Sequence, residues 1–276
     1  MSLDTPFQDA PFQSSEHQPF VLGKSPHKAL LIHGFPGTPA EMRPLAEMLV
    51  SQGYEAHGLL LPGFGKDIGN LGQQTRHDWI THALSAWENL QQNAETVVLI
   101  GFSMGAAIAL HVAAQSNHKP HRLMLIAPFW RFNAQFTWLL AIMRYLKPSL
   151  KPFAKADFND PKVLEQFSSM FPDADLDNST VQDALKNDIR LPSSALDELR
   201  RLGLSARNIV KQIQQPCLVI QGAADEVATP ANTRELMQNL PTALTYSEIP
   251  DATHDVIKAG EVGHDKLLEC LSHHLK

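Results

Sequence analysis

Cysteine is scarce in this chain, and no sign of charge dominates it. Only two of the 276 residues are cysteines, Cys217 and Cys270. They build no disulfide framework, and no Cys-x-x-Cys spacing offers a metal site. Cys217 sits in the apolar run Cys217-Leu218-Val219-Ile220 and reads as a buried core thiol. The formal charge of −6 argues against a nucleic-acid partner, because phosphate recognition needs a concentrated basic face. Long apolar runs are missing too. The longest, Phe136 to Leu146, is interrupted by Arg144 and followed by Lys147-Pro148. It falls short of the about 20 apolar residues that span a bilayer, so no stable membrane insertion is expected. Met1 to Phe20 is polar, contains Pro6, Pro11 and Pro19, and lacks the basic start and apolar run of a signal peptide. A reducing cytoplasm is the expected compartment. Gly63-Phe64-Gly65 has no third glycine to complete a dinucleotide fingerprint, and no Walker A loop occurs. Neither a cofactor nor a metal is expected. Oligomeric state is not legible.

What is present is alternation. Ala29–Ile32, Ala56–Leu61, Val97–Ile100 and His121–Ile126 read as strands, and Ala40–Gln52, Trp79–Gln91 and Met104–Gln115 as helices between or after them. From Pro128 to about Ile213 the rhythm breaks into helical patterns and polar loops. It resumes with a strand at Cys217–Gln221, a helix at Pro230–Leu240, a strand at Leu244–Ile249 and a helix at Gly263–His274. Such alternation predicts an α/β fold: a mostly parallel, doubly wound sheet with helices on both faces. The expected division is a core of residues 1–127 and 214–276 and a helical cap insertion of residues 128–213.

Gly101-Phe102-Ser103-Met104-Gly105 lies where the Val97–Ile100 strand turns into the Met104–Gln115 helix. A serine at the apex of a sharp strand-to-helix turn is lifted off the sheet end, beside the free N–H groups of a helix start. That makes Ser103 a candidate nucleophile. A nucleophilic serine needs a base within hydrogen-bond reach and a group to orient that base. Among thirteen histidines, His254 has the best placement, in the loop Pro250–His254 after the last predicted strand. His264, His273 and His274 lie on or beside the terminal helix and are expected to be solvated. The orienting acid should follow a strand between serine and histidine; Asp225 fits, with Asp251 as the alternative. Two backbone N–H groups should converge on the oxyanion, each typically worth ~3 kcal/mol of barrier. Met104, directly after the nucleophile, is one. Phe35, in His33-Gly34-Phe35-Pro36-Gly37, is the other, with His33 expected to support that loop through its ring.

With these residues in place the chain resembles the α/β-hydrolase superfamily over nearly its whole length, nearest to its bacterial carboxylesterase and monoacylglycerol lipase branch. The likeness is strongest in His33-Gly34-Phe35, Gly53-Tyr54, Leu61-Pro62-Gly63-Phe64-Gly65 and Asp78-Trp79. The resemblance implies an eight-stranded or shortened sheet with a helical cap, a triad of Ser103, Asp225 and His254, and oxyanion donors at Phe35 and Met104. The chain departs from the family pattern in two places. Phe64 stands where the family often has histidine, and Thr253 where it usually has glycine.

The stretch from Phe129 to Leu146 is rich in apolar residues, and Phe129, Trp130, Phe136 and Trp138 are the expected substrate-binding residues, although an amphipathic stripe is more often core than pocket. The expected activity is hydrolysis of a medium-chain acyl ester or monoacylglycerol through an acyl-enzyme, with a small-molecule ester as partner. The same triad also serves thioester, amide or carbon–carbon bond hydrolysis. A non-catalytic small-molecule receptor on this fold is the reading from another class.

Overall fold

Buried apolar runs come first in setting this architecture. In the computed structural model, which describes residues 12, 14–132, 139–171, 174–241 and 244–275, seven strands form one sheet. They are β1 (Phe20–Leu22), β2 (His27–Ile32), β3 (Glu55–Leu59), β4 (Thr96–Phe102), β5 (Arg122–Ile126), β8 (Cys217–Gly222) and β9 (Leu244–Ile249). Their order is β1-β3-β2-β4-β5-β8-β9. Only the β1–β3 pair is antiparallel. The expected α/β, mostly parallel, doubly wound sheet is the fold observed.

Side chains alternate between the two faces with the period of two that a pleated strand imposes. Leu30, Ile32, Val97, Leu99, Leu123, Leu125, Cys217 and Val219 enter one core. Ala29, Leu31, Val98, Ile100, Met124, Ile126, Leu218 and Ile220 enter the other. The first face is covered by α2 (Arg76–Leu90), α3 (Met104–Gln115) and α8 (Pro230–Met237), the second by α1 (Arg43–Ser51) and α9 (His264–Leu275). Helix α2 starts three residues before the predicted Trp79 because Thr75 forms a capping box: its N–H donates to Asp78 Oδ2 at 2.8 Å and its hydroxyl accepts from the Asp78 N–H. Helix α1, by contrast, starts later than the predicted Ala40, at Arg43, because a single-turn 3-10 helix occupies Pro39–Met42.

Between β5 and β8, in the stretch the sequence reads as an insertion, lie α4 (Leu140–Leu146), β6 (Ser149–Leu150), α5 (Pro161–Met170), α6 (Ser179–Asp188), β7 (Leu191–Pro192) and α7 (Ser193–Ile209), with β6 and β7 paired antiparallel. Phe158, Phe167, Phe171, Val181 and Leu185 form a separate small core there. Helix α7 does not share it. Ala195, Leu199, Leu202 and Ala206 are buried in the same core as α2 and α3. His111 of α3 and Ser205 of α7 are hydrogen-bonded at 2.8 Å across that contact. Residues 193–209, which the sequence groups with the insertion, therefore belong by packing to the layer over the sheet. The buried Asp197 of α7 takes Arg144 of α4 at 3.1 Å and Arg200 at 2.7 Å, and Glu198 takes Arg76 of α2 at 2.9 Å. That network ties the insertion to the sheet layer.

Candidate active site

At the junction of β4 and α3 the backbone of Ser103 has φ 52° and ψ −116°, a sparsely populated conformation for a residue with a side chain. The surroundings enforce it. The Ser103 N–H donates to the Ile126 carbonyl at 2.9 Å, and its carbonyl accepts from Phe129 at 3.2 Å and from Ala106 at 3.0 Å. The flanking glycines are required by close approach: a Cβ on Gly101 would lie 2.6 Å from the Cα of Ala106, and one on Gly105 would lie 2.6 Å from the His33 carbonyl oxygen. The contact at Gly105 also sets the start of α3 against the loop that leaves β2.

Asp225 and His254 come from neighbouring strand ends. The loop after β8 and the loop after β9 are joined by Ala223 N–H to Ile249 O and Ala224 N–H to Ala252 O, both 2.9 Å. This join brings the Asp225 carboxylate to 2.8 Å from His254 Nδ1. A carboxylate only accepts, so Nδ1 carries the proton and Nε2 is left as the acceptor for the Ser103 hydroxyl at 3.0 Å. Ser103 is 5 % exposed and Asp225 2 %, while the His254 side chain keeps 19 %. The three residues thus form one hydrogen-bonded line along the C-terminal edge of the sheet. Asp251 does not join it. It lies exposed in the turn after β9 with φ 59°.

The acid is held by more than the histidine. Asp225 Oδ1 accepts the N–H groups of Val227 at 2.8 Å and Ala228 at 2.9 Å, and Oδ2 accepts Gln221 Nε2 at 3.1 Å. Gln221 is itself fixed, donating to Ala228 O and accepting from Thr233 Oγ1. Sequence reading missed Gln221, because the last residues of a buried strand carry no signal for a polar anchor.

His33 is fully buried, and its ring does support its loop. Nδ1–H donates to Gly34 O at 2.8 Å, and Nε2 accepts the Leu61 N–H at 3.2 Å. Burial pushes its pKa down to about 4, so the ring is neutral, as that pattern of one donor and one acceptor requires. Phe64 now has a physical account. It is buried edge-on against His33 at 5.0 Å and Phe35 at 5.7 Å, bracing the same loop. Thr253 is accounted for as well: its backbone is extended and its hydroxyl accepts the Asp255 N–H, capping the short 3-10 turn His254–Ile257.

Phe129 and Trp130 are both buried in the first sheet core. The ring of Trp130, one of the expected substrate-binding residues, is packed within that core. Its indole N–H donates to Asn232 O at 2.8 Å, and the Arg131 and Arg207 guanidinium groups lie 4.5 and 5.5 Å from its ring. Phe136 and Trp138 lie outside the described residues. His264, expected to be solvated, is buried and bonds the Val256 carbonyl at 3.1 Å, because α9 begins against the His254–Ile257 turn.

Residues 24–261 match the profile of the serine aminopeptidase S33 hydrolases. The chain belongs to that family. A thermostable monoacylglycerol lipase of Bacillus sp. (strain H-257) is 28 % identical over 223 residues, 81 % of this chain and 80 % of its own length. A carboxylesterase of Bacillus subtilis is 22 % identical over 211 residues, 76 % of each chain. Among solved structures, one of two metagenome-derived lipolytic enzymes superposes with a TM-score of 0.75 at 20 % identity, covering 97 % of this chain and 99 % of its own. The S33 chain is thus a hydrolase on the α/β-hydrolase fold, and the curated relatives named here carry names of carboxylic ester hydrolases. No helix among its described residues is long and apolar enough to cross a membrane.

Proposed function

We propose that this S33 hydrolase cleaves carboxylic esters, medium-chain acyl esters or monoacylglycerols, through a covalent acyl-enzyme on Ser103. The observation that carries the reading is the line Ser103 Oγ to His254 Nε2 at 3.0 Å and His254 Nδ1 to Asp225 Oδ2 at 2.8 Å. Ser103 attacks the ester carbonyl as its proton passes to His254 Nε2. Asp225 holds the ring and stabilises the imidazolium. The oxyanion is assigned to the N–H groups of Met104, at the head of α3, and Phe35. The imidazolium then gives its proton to the leaving alcohol. Water, deprotonated by the same nitrogen, attacks the acyl carbonyl and releases the acid with Ser103 restored. Phe129, one hydrogen bond from the Ser103 backbone, and Phe132, 4.9 Å from it ring to ring, are assigned to the acyl side. The acyl class is supported by the name of the Bacillus lipase relative, and a cytoplasmic setting by the two free cysteines.

Fluorophosphonate labelling followed by a p-nitrophenyl ester series tests this. The expected result is labelling that Ser103→Ala abolishes and a kcat/KM maximum at medium chain length. A folded wild type that takes no label overturns the serine mechanism. A preference confined to acetyl esters, or for aminoacyl amides over every ester, overturns the substrate class.

A further inference from the structure

Glu41 is a carboxylate that the proposed mechanism does not use, yet it sits under the loop that carries Phe35. Its residue is part-exposed, but its carboxyl faces inward. Oε1 accepts the Gly34 N–H, and a Cβ on Gly37 would come within 2.6 Å of the Glu41 Cδ. The loop closes over it as a tight turn, Gly37 N–H to Gly34 O at 3.2 Å, and is held further on by Thr38, whose hydroxyl meets His17 Nδ1 at 2.8 Å. Gly34 lies against the Phe102 ring, which in turn lies 5.1 Å from the His254 ring. The carboxyl, the turn and the base therefore share one packed unit.

We propose that Glu41 is the positioning residue of the oxyanion loop, its carboxylate fixing Gly34 and thereby the direction of the next N–H, that of Phe35. This rests on the reading of Ser103 and Phe35 given above. An anchor is needed there because a turn bearing two glycines has little conformational preference of its own, and a donor that wanders loses the preorganisation that makes an oxyanion hole effective. A charged acceptor makes roughly twice as strong a hydrogen bond as a neutral one. Ionised Glu41 thus holds the turn better than protonated Glu41, and its charge also favours the His254 imidazolium formed during attack. The charged groups around it are His254 and Lys258, which favour its ionised form, and Asp255, which opposes it. Burial outweighs them and lifts its pKa to about 7, within the working range of such an enzyme.

Three steady-state experiments on a medium-chain p-nitrophenyl ester test the assignment. Glu41→Ala is expected to lower kcat by about ten- to a hundredfold with KM within about twofold, less than loss of a whole donor costs. Glu41→Gln, which restores an acceptor for Gly34, recovers most of that loss. The acid limb of log kcat/KM is expected to carry an extra shallow step in the wild type as Glu41 takes up its proton, no deeper than the loss that Glu41→Gln leaves, and to lack that step in Glu41→Gln. Wild-type kcat in Glu41→Ala overturns the proposal while leaving Ser103, if it still takes fluorophosphonate, as nucleophile. Should Glu41→Ala not fold, superimposable acid limbs for wild type and Glu41→Gln overturn it. A wild type that takes no label overturns the underlying reading and this inference with it.

Discussion

Lowering the pH from about 6.5 to 4.5 should destabilise the fold, and three buried groups make contributions that single substitutions can separate. His33 and His111 are neutral in the folded protein, each pushed by burial from 6.5 down to about 4. His111 is held between Gln115 and Ser205 at 2.8 Å on either ring nitrogen. In this window the unfolded chain protonates both rings and the folded protein neither. Their stabilisation is complete above 6.5 and disappears as the pH falls towards 4, worth ~3 kcal/mol for each ring. Glu41 acts in the opposite sense. Its pKa is raised from 4.5 to about 7, so between these values the folded protein holds a proton that the unfolded chain has released. Its contribution is complete below 4.5 and is lost as the pH rises through 7. Two protons gained on unfolding less one released leaves one, and one proton corresponds to a slope of about 1.4 kcal/mol per pH unit. His82 and His274, also lowered by burial, add a term common to every variant, so the comparison between variants carries the test. His111→Gln should lower the wild-type slope by about 1.4 kcal/mol per pH unit, and Glu41→Gln should raise it by the same amount. Urea unfolding followed by tryptophan fluorescence at half-unit pH steps measures all three slopes. A His111→Gln slope equal to the wild type's refutes the argument, since it would mean that ring is already charged when folded.

Two further outcomes follow from the site. Ser103→Gly removes the side chain from a backbone at φ 52° and should raise thermal stability by about 1 kcal/mol while abolishing ester turnover, read by calorimetry and by assay. Gln221→Leu leaves Asp225 Oδ2 one donor short and Thr233 without its acceptor. It should cost about 1–3 kcal/mol in urea unfolding and lower kcat more than it raises KM.

The sheet was legible because β2, β4, β5 and β8 are buried on both faces, which writes them as unbroken apolar runs. Ser103 and Asp225 stood out because each follows such a run, and His254 because it follows the last predicted strand, β9. The insertion was harder. Its core gathers Phe167 and Phe171 from one helical stretch, Val181 and Leu185 from another and Phe158 from a loop, and the short helical spacings do not say that these pieces pack on one another. Helix α7 reads as amphipathic, but an apolar stripe does not say which of two neighbouring cores it will enter. Glu41 and Gln221 were invisible for a related reason. A glutamate in the first turn of the predicted helix Ala40–Gln52 reads as a solvated charge, and only the folded turn shows that it points inward at Gly34. The histidine at position 264 misled in the same way, polar by type and buried by the docking of α9.

Among the described residues, the aromatic nucleus between β5 and β8 shares no member with either core of the sheet. The residues of that nucleus can therefore be varied without altering a side chain of either sheet core. A gene library varied only between positions 153 and 189 would leave Ser103, Asp225, His254 and the members of both sheet cores as they are. In the same way, natural lineages could exchange one such segment for another without having to reinvent the serine.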